Sequence, residues 1–289
     1  MKEATVIVLA GQSNAVGVGH VVCLPRHFSD AKIKEYEDGY EHVQINYYSH
    51  DKKSNGFVKT TVGCTELSKH TVGPEVGLAE WFAERYPEQE LFIVKCAFGG
   101  TSLWRDWLSP SSGGSYDPTA YADQVADVLA AIGRGEPLRA GWCYNELVKL
   151  TRESLDILTA RGYAPKIRGF CWMQGEGDAD MLPNVEAYSG RYHNLLADFS
   201  AAFAEYVADC VFVDGGISEV WPLYREMNAS KAAYAAAHEN CRYVDTIAHG
   251  LTTLNEPIGE PDIYHYDSDA ILKLGRLFGE ALGLPEAKH

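Results

Sequence analysis

The fold is decided by the stretch Val6-Ile7-Val8-Leu9-Ala10-Gly11-Gln12-Ser13-Asn14-Ala15-Val16-Gly17-Val18-Gly19. Its apolar, β-branched first half ends abruptly at Gly11, and small polar residues follow. The pattern predicts a buried strand, a tight turn at its carboxyl end and a helical turn that opens near Asn14. In an open parallel α/β sheet, ligands bind at this edge. A serine here, Ser13, is therefore a candidate nucleophile, with backbone N–H groups nearby for a developing anion.

Other interpretations of this turn are a helix cap and a phosphate-binding loop. A serine between a strand and a helix most often caps the helix, and this alternative stays open for Ser13. A P-loop requires a lysine after its second glycine, and none follows here. A dinucleotide loop requires a third glycine where this chain has Val22. Both phosphate loops are excluded, and a nucleophilic serine needs a base and an oxyanion hole from elsewhere in the chain.

Composition limits the partners. The 289 residues are 46% hydrophobic, enough for a large core in one domain or two small ones. A net charge of −15 disfavours nucleic acid and anionic lipid as partners. No apolar run approaches the length of a membrane span, and a strand directly follows Lys2 without a signal-peptide pattern, so we expect a cytoplasmic protein. The seven cysteines lack metal-binding spacing and are expected to be buried thiols.

Strand-like runs alternate with helical patterns along most of the chain. Strands are predicted at Thr5–Leu9, Val43–Tyr48, Leu91–Cys96, Ile167–Met173, Val211–Val213 and Arg242–Val244. Helices are predicted at Glu75–Arg85, Tyr121–Ile132, Gly141–Ala160, Val185–Val207, Ala229–His238 and Ser268–Leu282. The alternation predicts a parallel sheet between two layers of helices. No linker or repeat divides the chain, so we expect a single domain over 1–289 with loop excursions near 20–42 and 104–118.

Glycine turns follow two further predicted strands. Gly99-Gly100 comes after the third strand and lets the backbone present an N–H group to a ligand, although turn geometry alone also explains two glycines. Trp104 and Trp107 follow as core aromatics or as a sugar-stacking wall. The fourth strand ends in Gln174-Gly175-Glu176-Gly177-Asp178, which is hard to explain by packing. The Gln174 amide is a candidate oxyanion donor, and the two acids are candidates to orient a base or to bind substrate hydroxyls.

A candidate base lies near the carboxyl terminus. Asp262 and His265 are three residues apart in a turn, so the carboxylate can hold Nδ1–H of the imidazole while Nε2 faces outward. With ten histidines in the chain, one such spacing by chance is not surprising, and its weight comes from matching Ser13. No His-Glu-x-x-His or Cys-x-x-Cys zinc motif is present.

Together these blocks resemble the SGNH (GDSL-like) hydrolase superfamily, and within it the sialate O-acetylesterase and acetylxylan esterase group, carbohydrate esterase family six. The matching segments cover nearly the whole chain: Gly11-Gln12-Ser13-Asn14, Gly73-Pro74-Glu75, Phe98-Gly99-Gly100-Thr101, Trp172-Met173-Gln174-Gly175-Glu176-Gly177-Asp178 and Asp262-Ile263-Tyr264-His265. The resemblance implies a three-layer α/β/α sandwich with a roughly five-stranded parallel sheet, and neither a metal nor an organic cofactor.

The resemblance also implies roles for site residues. Ser13 is the expected nucleophile and His265 the general base, and the oxyanion hole combines the N–H groups of Ser13 and Gly100 with the side chain of Gln174. The third triad member is Asp262 or, as in some relatives, Glu176; we favour Asp262 because the same turn fixes it. Neighbouring polar residues of these turns are expected to contact substrate: Gln12, Asn14, Thr101 and Asp178.

The expected activity is removal of O-acetyl groups from a carbohydrate through an acyl-enzyme. An acetylated sugar or oligosaccharide is the expected substrate. Two alternatives stay open: a non-catalytic carbohydrate-binding protein on the same fold, and a short-chain lipid esterase or thioesterase.

Overall fold

A computed structural model describes residues 2–50, 52–64, 70–114, 140–256 and 262–285. Its strands are β1 (Lys2–Gly11), β2 (Gly19–His20), β3 (Val43–Ser49), β4 (Lys52–Lys53), β5 (Val58–Lys59), β6 (Thr71–Val72), β7 (Leu91–Ala97), β8 (Tyr163–Met173), β9 (Val211–Gly215) and β10 (Cys241–Val244). Its helices are α1 (Ser13–Val16), α2 (Asp30–Asp38), α3 (Pro74–Arg85), α4 (Trp142–Ala160), α5 (Leu182–Ala202), α6 (Tyr224–Ala237) and α7 (Ser268–Leu282).

The main sheet has the strand order β10-β9-β8-β1-β7-β3-β4, and β5 also pairs with β3. All pairings from β10 to β3 are parallel, and the short strands β4 and β5 run antiparallel to β3. The six predicted strands are all present. β1 lies between β7 and β8, and its residues from Ala4 to Ala10 are buried, apart from the half-buried Thr5. The continuous apolar run of β1 follows from this central position, because both faces of the strand are covered.

Helices cover both faces of the sheet, as adjacent residues of β8 show. Gly169 faces Leu282 of α7, whereas the next residue, Phe170, packs edge-on against Phe199 of α5 with 4.9 Å between ring centroids. Because neighbouring residues of a strand point to opposite faces, α7 and α5 lie on opposite sides. The fold is thus the expected α/β/α arrangement with a mainly parallel sheet, in which six described strands pair in parallel where the resemblance implied roughly five.

Gly11 sets the turn that ends β1. Its φ is +143°, and a Cβ at this position would lie 1.9 Å from the carbonyl oxygen of Met173. On either side of it, the Gln12 N–H donates to the Met173 carbonyl and the Phe98 N–H donates to the Gly11 carbonyl. Only glycine fits here, and the ends of β1, β7 and β8 are therefore tied together at one edge of the sheet.

The predicted loop near 20–42 is wrong in part, because it contains a turn of 3₁₀ helix at Val21–Arg26 and the helix α2. The Ser29 hydroxyl caps α2 by accepting from the Lys32 N–H at 3.3 Å. Tyr36 is buried and donates to Glu80 of α3, and Lys32 forms an ion pair with the same carboxylate. These polar contacts hold a helix that is too hydrophilic to show a clear apolar face in the sequence.

Most other predicted helices are present with shifts of a few residues at their ends. The helix predicted at Tyr121–Ile132 lies outside the described residues, as does part of the excursion predicted near 104–118. None of the helices that the structure describes has the length and apolar character needed to cross a membrane.

Candidate active site

A pocket of about 370 Å³ opens at the carboxyl edge of the parallel sheet. It is lined by Gln12, Ser13, Val16, Val18, His50, Gly99, Gly100, Trp221, Tyr264 and His265. The turns after β1 and β7 and the loop before α7 lie far apart along the chain, and the fold brings them together at this edge. The predicted nucleophile, base and one backbone oxyanion donor all belong to this lining.

Ser13 is the first residue of α1, and Gln12 occupies the N-cap position without a capping side-chain hydrogen bond. The capping alternative for Ser13 is therefore wrong. The first N–H groups of a helix have no acceptor within the helix, so the Ser13 N–H remains available to an oxygen in the pocket. Gly100 has φ +69°, and a Cβ there would meet no described atom within 4 Å, because the space beside it is the pocket.

His265 is held by the carboxylate three residues before it. Its Nδ1 lies 2.5 Å from Oδ2 of Asp262, and Oδ1 of Asp262 accepts from the N–H groups of Tyr264 and His265. Partial burial alone would raise the pKa of Asp262, but the hydrogen bond with His265 and the two backbone donors hold this pKa below its ordinary value. The carboxylate stays ionised and fixes the imidazole with Nε2 as the atom that can take a proton.

Glu176, the other candidate acid, points elsewhere. It is fully buried, and its Oε1 accepts from Asn14 Nδ2 at 3.0 Å, while its Oε2 has no hydrogen-bond partner among the described residues. Burial raises the pKa of this carboxyl. Asn14 Oδ1 in turn accepts from the Tyr266 N–H, so Glu176 acts on the loop of His265 through Asn14 and not by direct contact.

The Gln174 amide does not reach the pocket, contrary to the predicted role as oxyanion donor. The residue is fully buried, and its Nε2 donates to Asp178 Oδ2 at 2.7 Å and lies within 3.3 Å of Gln12 Oε1 and the Thr101 carbonyl. Its Oε1 accepts from the Tyr188 hydroxyl. Both amide hydrogens are therefore engaged within the protein, and Gln174 fixes the neighbouring turns.

The four predicted substrate contacts need a similar correction. Asp178 accepts from the N–H groups of Leu103 and Trp104 and from Gln174, and burial raises the pKa of its carboxyl. Thr101 accepts from the Trp107 indole and donates to the Phe98 carbonyl. These side chains are buried with their polar groups engaged, as is Asn14, so they lie beneath the pocket.

Gln12 is the one of the four that lines the pocket, although its Oε1 accepts from Gln174 and from the Gly177 N–H. We call the buried set beneath the pocket the polar layer; it comprises Asn14, Thr101, Gln174, Glu176 and Asp178, and Gln12 joins it to the pocket.

A buried ion pair supports this layer from below and was not anticipated from the sequence. Lys231 Nζ donates to Asp214 Oδ1 at 2.6 Å and to the carbonyl oxygens of Gln174 and Gly215. Burial raises the pKa of Asp214 to about 6, although the ammonium group of Lys231 opposes this shift. The lysine thus joins the ends of β8 and β9 under the turn that carries Glu176.

Three residues of the pocket wall were also missed: His50, Trp221 and Tyr264. His50 directly follows β3 and Trp221 lies in the loop after β9, so the rule that strand ends carry the site could have found both. The rings of Trp221 and Tyr264 pack 5.3 Å apart at an angle of 44°. Of the two tryptophans with open roles, Trp107 is a core residue, whereas Trp104 is 40% exposed and does not line this pocket.

Among the described residues, one group of side chains has atoms close enough together to bind a metal ion, and it lies away from this pocket. Ligand atoms of His27, Glu256 and Asp269 lie within 4.8 Å of one another. The Glu256 carboxylate already accepts from the N–H and hydroxyl groups of Ser268 at the start of α7. We therefore infer that this group holds the start of α7 in place.

The pocket brings together a hydroxyl, an imidazole paired with a carboxylate, and backbone N–H groups. These are the components of a hydrolase that attacks carbonyl carbon. Solved structures of similar fold include a protein from Arabidopsis thaliana, with 17% identity and a TM-score of 0.63 over 96% of this chain and 97% of that one. NanS has 18% sequence identity and a TM-score of 0.64 over 97% of both chains. A carbohydrate acetylesterase from Xanthomonas citri has 10% sequence identity and a TM-score of 0.55 over 97% of this chain and 56% of that one.

Fold and site together define an ester hydrolase of the SGNH type. The family model for carbohydrate esterase, sialic acid-specific acetylesterase, matches residues 3–283, so the chain belongs to this family of carbohydrate acetylesterases. The resemblance drawn from the sequence motifs is thereby confirmed. Among individually curated proteins, none matches the chain significantly.

Proposed function

We propose that this carbohydrate esterase removes O-acetyl groups from a sugar through a covalent acetyl-enzyme on Ser13. The observation that carries the proposal is the Asp262–His265 pair, whose imidazole lines the same pocket as Ser13 and Gly100. His265 Nε2 takes the proton of the Ser13 hydroxyl, and Oγ attacks the acetyl carbonyl carbon. The oxyanion is stabilised by the backbone N–H groups of Ser13 and Gly100.

The tetrahedral intermediate collapses when its bond to the sugar oxygen breaks. The imidazolium of His265 gives its proton to this oxygen, which leaves as a hydroxyl group, and the acetyl group remains on Ser13. Water then attacks the acetyl carbonyl with His265 as base, and acetate is released. Asp262 keeps its negative charge throughout and stabilises the imidazolium in both steps.

The walls of the pocket favour a carbohydrate. Trp221 and Tyr264 present aromatic rings beside His265. An aromatic ring offers a flat apolar surface together with a polar group, which suits a sugar ring that is apolar on its faces and polar at its edge. Nucleic acid and anionic lipid remain unexpected as substrates at a net charge of −15.

The test replaces Ser13 with alanine and measures hydrolysis of p-nitrophenyl acetate, acetylated xylo-oligosaccharides and O-acetylated sialic acid. We expect turnover of every substrate to fall by at least about a thousandfold, because the residual rate comes only from binding and the oxyanion hole. Mass spectrometry of quenched wild-type enzyme should find one acetyl group on the peptide that contains Ser13.

The same panel separates the alternatives. Full turnover by Ser13→Ala would contradict the mechanism. Sugar binding without turnover by the wild type would indicate the non-catalytic alternative. Faster cleavage of long acyl chains than of acetyl esters would indicate a lipid esterase or thioesterase.

A further inference from the structure

His50 lies in the pocket in a backbone conformation that non-glycine residues rarely adopt. Its φ is +56°, and among the described residues Asn55 is the one other non-glycine residue with positive φ. Asparagine tolerates this region, and Asn55 lies in an exposed turn between β4 and β5. Histidine at such a position carries backbone strain, and residues held in this way cluster at functional sites.

The ring of His50 lies close to the nucleophile. A Cβ built on Gly99 would lie 3.5 Å from Cε1 and 3.8 Å from Nδ1 of His50, and 3.7 Å from the Ser13 Cβ. The imidazole and the serine therefore flank the same glycine. The hydrogen bond from the His50 N–H to the Ala97 carbonyl, at 2.9 Å, anchors the backbone of His50 to the end of β7.

His50 also has hydrogen-bonding capacity to spare. Its side chain is half-buried, lines the pocket and makes no hydrogen bond with any residue that the structure describes. By contrast, Oε1 of Gln12 already accepts from Gln174 and the Gly177 N–H, and Nδ1 of His265 is held by Asp262. The wall is completed by apolar and aromatic side chains, among them Val16 and Trp221.

The chemistry of an imidazole decides which part of the substrate it suits. Neutral imidazole has one donor and one acceptor nitrogen, and a sugar hydroxyl can both donate and accept a hydrogen bond. The acetyl group offers only its carbonyl oxygen, which the backbone N–H groups of Ser13 and Gly100 bind under the proposed mechanism. A second imidazole close to Ser13 therefore fits the sugar part of the ester better than the acyl part.

We propose that His50 is a specificity-determining residue that hydrogen-bonds a hydroxyl group of the sugar whose acetyl ester is cleaved at Ser13. The proposal rests on the proposed function. Its consequence is that the enzyme discriminates between an acetylated sugar with hydroxyl groups and an acetyl ester that has none.

The experiment compares His50→Gly and His50→Asn with the wild type on two kinds of ester. One is the O-acetylated sugar that the wild type cleaves faster, chosen from O-acetylated sialic acid and acetylated xylo-oligosaccharide; the other is p-nitrophenyl acetate. The readout is the ratio of kcat/KM on the sugar ester to kcat/KM on p-nitrophenyl acetate. Both replacements tolerate the positive φ, so the melting temperature should not fall.

We expect His50→Gly to lower this ratio by about tenfold to a hundredfold, the effect of one hydrogen bond lost to substrate in a shielded site. His50→Asn keeps a donor and an acceptor and should lie between His50→Gly and the wild type. Asn55→Gly is the matched control, because it changes the other positive-φ residue outside the pocket, and its ratio should equal that of the wild type.

A ratio in His50→Gly within about twofold of the wild type would overturn the proposal, as would an equal fall in Asn55→Gly. An equal loss on both esters would also overturn it, because it would assign His50 to the chemistry of the acetyl group. In these cases the proposed function stands as long as Ser13→Ala is inactive. A wild type that cleaves neither ester overturns both proposals.

Discussion

The pocket wall and the polar layer beneath it come from the same turns, but they differ in what their polar groups still have available. On the wall, the Ser13 hydroxyl makes no hydrogen bond with a described residue, and the backbone beside Gly100 faces open space. In the polar layer, both hydrogens of the Gln174 amide and three lone pairs of Asp178 are already used. Under the proposed mechanism, the reacting groups therefore lie on the pocket wall, and the polar layer holds the turns that carry them.

The carboxylates of the two regions also differ, in their burial, their hydrogen-bond partners and the direction of their pKa shifts. Burial raises the pKa of Glu176, which has one oxygen without a partner among the described residues. Asp262 is less buried and accepts from His265 and from two backbone N–H groups, which lower its pKa. Under the proposed mechanism, the acid that stabilises the cationic imidazole should be ionised, and the lowered pKa of Asp262 favours Asp262 for this role. Glu176 positions Asn14 and, through it, the backbone of Tyr266.

The largest effect is expected from exchanging each acid for its amide. Asp262→Asn removes the charge that stabilises the imidazolium and places an amide against Nδ1, so kcat should fall by about a thousandfold to ten-thousandfold. Glu176→Gln keeps an acceptor for Asn14 and should lower kcat by less than about tenfold. Steady-state kinetics on p-nitrophenyl acetate, with circular dichroism to check folding, measures both. The reverse order would make Glu176 the acid that orients the base.

A smaller effect is expected from Gln174→Ala, which tests whether the amide belongs to the layer or to the wall. Its removal leaves the Tyr188 hydroxyl and an Asp178 oxygen short of partners in the interior. The free energy of unfolding should therefore fall by about 1–3 kcal/mol, measured by urea denaturation. Unchanged stability together with a hundredfold loss of kcat would show instead that the amide stabilises the oxyanion directly.

The smallest effect concerns pH. Because its partners hold the pKa of Asp262 below the ordinary value of about 3.9 for aspartate, the carboxylate of Asp262 remains ionised at every pH above that value. A mechanism with a single base requires one unprotonated group, so a logarithmic plot of kcat/KM should decrease with a limiting slope of one on acidification from about pH 8 to 5. A limiting slope of two would mean that a second group, such as Asp262, titrates in this range.

The lowered pKa of Asp262 has a matching consequence for stability. Its contribution is present above the unfolded-state pKa, which is about 3.9 for aspartate, and is lost as the pH falls through the lower folded-state pKa. A thermal denaturation series below about pH 4 should therefore show a steeper loss of stability for the wild type than for Asp262→Asn.

The amino-acid sequence alone determined the architecture and predicted the groups that we propose to react. Continuous apolar runs ending in glycine mark parallel strands covered on both faces, and the residues just beyond their ends must meet at one edge of the sheet. Ser13, Gly100 and His265 follow from that rule and from the motifs. The sequence missed α2 because polar contacts to α3, such as Tyr36 with Glu80, hold it in place of an apolar stripe.

Only the tertiary structure decided which polar residues face the pocket. Gln174 and Asp178 stand in a turn beside the site, and a sequence motif does not record whether a side chain points up into the pocket or down onto a neighbouring turn. That direction depends on partners from distant segments, such as Leu103 for Asp178 and Tyr188 for Gln174. His50 was hidden for the same reason: its role depends on a backbone angle and on its distance from Gly99, neither of which the order of residues reveals.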